Sequence, residues 1–175
     1  QGRSIEALEM LSIIFDRHTQ IVPLALNYMK LLAELKENET LQMVCKTMLG
    51  NQRLHFDGNK YINLIEGFFA LAIGAYEAAV KAWAKGSNDL LFGLRCFAFH
   101  ASNQNRAAIR FCRTFLDRNP EQREPYFYLN ALEPDPAVAI VYAEIASEKF
   151  PEDAYAIAFL LLHRLRLDHQ AELLL

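Results

Sequence analysis

The stretch YINLIEGFFALAIGAYEAAVKAW, Tyr61 to Trp83, decides the fold class. Apolar residues recur through it at helical spacing, yet it carries glycines at 67 and 74 and an alanine at 79. A glycine inside a helix costs about 1 kcal/mol relative to alanine, so both positions call for a structural reason. Gly67 stands midway along a first helix, where a missing Cβ lets a partner helix approach closely. Gly74 ends that helix and takes the turn, and Ala79 is the small contact on the helix that follows. The stretch therefore reads as two helices folded back on each other, because a connection this short places consecutive helices antiparallel.

Outward from there, the same pattern predicts helices over 3–17, 20–36, 39–50, 59–73, 75–86, 88–102, 104–118, 122–132, 136–149 and 152–166, with a further start near 168. Breaks fall at Asn38, at GNQRLHFDGN (50–59), at Gly86-Ser87-Asn88-Asp89, at Asn103, at Asn119-Pro120, at Pro134-Asp135-Pro136 and at Pro151. No segment alternates apolar and polar residues with the Val, Ile and Thr content of a strand, so the class is all-α.

Composition bounds the function. With 53% apolar and 22% charged residues the chain buries enough surface to fold, and 175 residues suit one domain or a short array of repeats. A net charge of −3 lacks the cationic surplus that non-specific nucleic-acid binding demands. Every uncharged apolar run is too short to span a bilayer, so no membrane role is expected. Three cysteines, Cys45, Cys96 and Cys112, form no paired framework; they fit buried reduced thiols and a cytoplasmic location. No export signal is visible, and the opening at Gln1 in place of Met reads as a trimmed fragment of a longer chain.

The pattern also repeats. AIRFCRTFLDRNP (108–120) and AIVYAEIASEKFP (139–151) have equal length, begin Ala-Ile, carry an aromatic residue at the same internal place and end in proline, at an offset of 31 residues. The same small-residue helix start can be placed at Ser4, Thr40, Ala79, Ala108, Ala139 and Ala171, with offsets of 36, 39, 29, 31 and 32. This organisation resembles the tetratricopeptide repeat, most closely over residues 61–151. In that family a glycine in the first helix (Gly67), a turn glycine (Gly74), an aromatic residue after it (Tyr76), an alanine in the second helix (Ala79, Ala108, Ala139) and a closing proline (Pro120, Pro151) recur. Cys96, Tyr28 and Phe159 replace the first-helix glycine in other units. The resemblance implies one domain over 1–175, an α-α superhelical solenoid of about five degenerate helix pairs.

Chemistry finds little footing. Cys96 and His100 share a helix face, but two ligands do not make a metal site, so no metal or cofactor is expected. His163 and His169 fall on different faces or across a turn, and the nucleophile-elbow, phosphate-loop, dinucleotide and zinc-protease motifs are all absent. The chain reads as no enzyme. Arg106, Arg110 and Arg113 form one stripe at i, i+4 and i+7, which is either a solvated outer face or a dock for an acidic segment.

The resemblance implies recognition by the inner faces of the first helices. Positions that bind acidic tails in some members are here Ala25 and Met29, Leu64 and Phe68, Gly93 and Phe97, and Ala156 and Leu160, none of them a cation. Such apolar faces are either core or a trough for an amphipathic helix or extended apolar segment. On the trough reading, Met29, Leu64, Phe68, Phe97 and Leu160 hold a partner peptide or helix, with His100 and His163 at the polar edge. The expected function is a non-catalytic interaction scaffold or chaperone-like module. A rival is the regulatory or sensor domain of a larger signalling or transcription protein. Open repeat ends at Ile5, Leu8, Leu11 and Leu173 to Leu175 imply either self-association or a longer natural chain.

Overall fold

The computed structural model of the chain describes residues 2–18, 21–50, 59–85 and 91–172, with side chains at 5–18, 21–50, 61–85 and 91–165. Its helices are α1 (Gly2–Arg17), α2 (Val22–Glu34), α3 (Asn38–Leu49), α4 (Asn59–Ala72), α5 (Tyr76–Ala84), α6 (Phe92–Ala101), α7 (Asn105–Arg118), α8 (Glu124–Leu132), α9 (Pro136–Lys149) and α10 (Ala154–Glu172). The described residues contain no strand, so the chain is all-α. The helices group into two compact units, Gln1–Asn103 and Gln104–Leu175. Two expected breaks, at 51–58 and 86–89, and the leucines Leu173 to Leu175 lie outside the described residues.

One helix boundary departs from the sequence reading. The expected stop at 166 and restart near 168 do not occur, since α10 runs unbroken to Glu172. Asp168 is a cap-type residue, but no proline or glycine precedes it to end the helix, and without a breaker the hydrogen-bond ladder continues.

In the first unit each helix packs on the next, and α2 also meets α4. Contacts mirror about the turns, as antiparallel pairs require: Leu64 of α4 meets Trp83 of α5, and Met29 of α2 meets Cys45 of α3, with sulfur atoms 3.5 Å apart. Gly67 is the close point. A Cβ added there would overlap Nε1 and Cδ1 of the Trp83 indole, so glycine lets the N–H edge of the ring come up against the α4 backbone. The indole then donates its N–H to the Leu64 carbonyl at 3.1 Å and meets Phe68 edge-on, with ring centroids 5.5 Å apart.

The turns use left-handed residues. After α4, Gly74 has φ 76°, and its N–H reaches the Leu71 carbonyl while that of Ala75 reaches Ala70. After α2, Lys36 does the same work with φ 62°: its N–H reaches Ala33, and that of Glu37 reaches Leu32. This 6→1, 5→2 pair of bonds satisfies carbonyls that a helix end leaves orphaned.

The second unit builds its core from small residues. Ala139, Ala143 and Ala146 recur at i, i+4 and i+7 along α9 and are buried, which lets neighbouring helices approach. Ala146, Tyr126 and Ala156 centre one cluster, with Phe127, Ile145 and Phe150 packed around it. Asp135 caps α9 by accepting from the Ala137 N–H at 2.9 Å. Asp153 caps α10 by accepting from the Tyr155 N–H at 2.8 Å and also pairs with Arg123. Desolvation pushes the Asp153 carboxyl up, but the N–H groups of Tyr155 and Ala156 together with Arg123 outweigh it and hold the group below its ordinary range.

Lys36 is exposed and holds a backbone conformation that costs an L-residue about 1 kcal/mol, so Lys36→Gly loses no packing and relieves that strain. The variant is expected to be more stable by roughly 0.5–1 kcal/mol in urea denaturation. An unchanged or lower midpoint would contradict the left-handed turn.

Candidate functional site

The first half of α10, Ala154–Leu162, is apolar all round, a pattern suited to burial on every side. One side is seated: Ala156 is fully buried among Tyr126 and Ala146, and Phe159 meets Phe127 of α8 at a tilt, with centroids 5.7 Å apart. His163, one turn further on, meets Asn130 of α8 at 2.8 Å. Asn130 is buried, and the same amide nitrogen donates to the Ala139 carbonyl at 2.9 Å. Because that carbonyl only accepts, the atom facing the imidazole is the nitrogen; His163 Nε2 therefore accepts, and the ring proton sits on Nδ1.

The opposite side of α10 faces outward. Ile157, Leu161 and Leu165 repeat every four residues there, flanked by Leu162 and Tyr155, and exposure reaches 64% at Leu165 and 70% at Tyr155. Arg164 stands exposed at the edge of this strip. Contiguous exposed apolar surface of this kind marks a place where something docks. The sequence reading already places the whole strip on one helix, 152–166, but assigns only its Leu160 and His163 to binding; the lack of a polar face from Ala154 to Leu162 is the signal that points to the rest.

The expected trough does not form where it was placed. Met29, Leu64 and Phe68 are core residues, exposed by 0%, 1% and 0%, and Ala25 is buried beside them. Neighbouring helices cover them, which corrects their assignment as an open partner surface. Phe97 is 45% exposed and meets Tyr76 edge-on at 5.6 Å. His100 is exposed in the next turn, while Leu160 and His163 are half-buried in the second unit. Ala79, Ala108 and Ala139, assigned to helix packing, are buried, and Gly67 and Gly74 occupy the close approach and the turn described above.

Arg106, Arg110 and Arg113 are exposed on α7. Arg113 is engaged, since its guanidinium donates to Glu133 at 2.8 Å. At the start of the chain Ile5, Met10, Ile13 and Ile14 of α1 are exposed, whereas Leu8 and Leu11, expected to be open, turn half inward. Leu8 lines a cavity of about 420 Å³ between α1, α2 and α3, with Ile13, Tyr28 and Leu32 as further walls and Glu9 and Glu37 at its sides. Among the described residues no three His, Cys, Asp or Glu side chains converge as metal ligands, and no helix is long and apolar enough to cross a membrane. No protein-family model matches the chain, and no curated protein matches it.

All three cysteines are buried, and burial pushes the Cys45 thiol up to about 12, far from the thiolate that reacts. A disulfide thiol reagent at about pH 8 is expected to label none of them in the folded chain and all three in denaturant. Rapid native labelling of Cys45 would contradict the packing of α2 on α3.

Proposed function

We propose that this chain is a non-catalytic interaction module, built from degenerate antiparallel helix pairs of the tetratricopeptide kind, that binds an amphipathic helix of another protein. The observation that carries the reading is the outward face of α10, where Ile157, Leu161 and Leu165 form a continuous apolar strip opposite the side already seated on α8 and α9. A helix laid along it would bury apolar surface at about 25 cal/mol per Å², with anchors at i and i+4 matching the spacing of the strip. Arg164 at the edge favours an acidic flank on the partner. The repeated Ala-Ile segments and the Gly67 close approach support the repeat assignment. Arg106 and Arg110 on α7 offer a second, purely electrostatic contact to an acidic partner.

Leu161→Glu combined with Leu165→Glu places two charges on exposed positions, where substitutions change stability by only a few tenths of a kcal/mol. The double variant is expected to keep the wild-type melting temperature and to lose the proteins that immobilised wild-type chain retains, scored by mass spectrometry. Retention of the same proteins by both would contradict the α10 assignment. A wild-type chain that retains only itself would identify the occupant as a second copy.

A further inference from the structure

The corner that leads into α8 is built a second time before α10. Asn119, which ends α7, has φ −133° and ψ 62°, and Phe150, at the 31-residue repeat offset, ends α9 with φ −126° and ψ 63°. In each corner the N–H three residues on, of Gln122 or Asp153, donates back to that residue's carbonyl, at 3.1 and 3.0 Å. Pro120 thus matches Pro151, and Glu121 matches Glu152. The same offset aligns α8 with α10: Pro125 and Ala156 are both buried, but Tyr126 and Asn130, also buried, match Ile157 and Leu161, which are 42% and 53% exposed. On α8 those two residues seat α9. Asn130 donates to the Ala139 carbonyl at 2.9 Å, and Tyr126 packs on Ala146. The face that α9 presents to them is its small stripe, Ala139, Ala143 and Ala146, and Lys149 closes the contact at the far end. Its ammonium donates to the Pro120 carbonyl and the Glu121 carboxylate, both at 3.0 Å, and lies 5.9 Å from the Tyr126 ring centre. Glu152, the matching carboxylate, is exposed and pairs with no cation among the described residues.

The open strip of α10 is therefore the counterpart of a seat that α8 already fills, and its charges complete the match. Glu152 stands at its N-terminal end and Arg164 near the other. A helix laid antiparallel brings its C-terminal turn to Glu152 and its N-terminal turn to Arg164, so a cation at its end and an acid at its start also suit its own dipole. We propose that this strip seats, antiparallel, a helix with the chemistry of α9: small residues at i, i+4 and i+7, and a lysine or arginine ten residues after the first that reaches Glu152 and the Pro151 carbonyl. Because α9 itself is committed to α8, that helix comes from another protein. The assignment rests on the α10 reading and adds the orientation and chemistry of the partner.

The probe is a synthetic peptide with the sequence of residues 134–150, added to the full chain while the NMR signals of Ile157, Leu161 and Leu165 are followed. Those signals are expected to shift saturably, while that of Leu129, buried in α8, stays in place. Ala143→Leu in the peptide should weaken binding by roughly tenfold, the effect of overpacking a close contact. Lys149→Glu in the peptide should weaken it about two- to fivefold, the worth of an exposed ion pair, and Glu152→Lys in the chain should restore the loss. Glu152 is exposed, so the chain variant keeps its fold. Shifts at α10 with equal affinity for all three peptides would overturn the partner chemistry proposed here while the α10 reading stands. The proposal would likewise be overturned by no saturable shift at α10, by a shift of Leu129 alone, or by a Lys149→Glu loss that Glu152→Lys leaves unrepaired. A dimer of the chain in sedimentation that Leu161→Glu dissolves would assign the strip to a second copy and overturn the foreign helix.

Discussion

How near α4 and α5 can lie is set by a missing methyl group. With hydrogen alone at residue 67, the indole of Trp83 rests on the α4 backbone and reaches the Leu64 carbonyl, and Phe68 closes against its edge. The bond to a main-chain carbonyl fixes the rotation of α5 as well as its distance, since the N–H must meet a particular turn of α4. Ala79 presents a small surface from the same helix, so the seam is narrow along its length. Gly74 closes the pair from the end by giving the turn a left-handed residue. The later helices of the first unit and α2, which leans on α4, take their places from this pair.

That closeness determines what the rest of the molecule has available for binding. Helices drawn together this tightly cover the apolar residues of the first helix, so Met29, Leu64 and Phe68 contribute to stability and leave no trough. The apolar surface that remains open lies elsewhere: along the outward side of α10, along parts of α1, and around Phe97. In the second unit the small residues of α9 and the Asn130–His163 contact seat α10 by one side only. A helix that is apolar on both sides and seated on one is the physical basis for reading this chain as a binding module.

Much of this architecture could be read from residue order. Glycine at 67 and 74, the prolines at 120 and 151 and the matching Ala-Ile segments mark helices and turns through local chemistry, and local chemistry is what a sequence displays directly. Lys36 was opaque because nothing about lysine signals a left-handed turn; the demands of the α2–α3 packing impose it. The α10 boundary was misread from Asp168, a residue that caps helices only where the chain is already leaving one. The trough was misplaced for a deeper reason. Apolar periodicity gives the inward side of a helix but does not say whether a neighbouring helix covers it. The groove between α1, α2 and α3 was invisible for the same reason, since it joins residues from three helices with no motif among them.

The central claim is that Gly67 and Trp83 form one contact on which the first unit is built, and a double-mutant cycle tests it most directly. Stabilities of the wild type, Gly67→Ala, Trp83→Leu and the double variant would be compared by urea denaturation followed by circular dichroism. If the two residues share the seam, alanine at 67 destabilises strongly beside the indole and costs little or nothing beside leucine, giving a coupling of about 1–3 kcal/mol. Additive effects within about 0.5 kcal/mol would contradict the account, because residues without a shared contact behave independently.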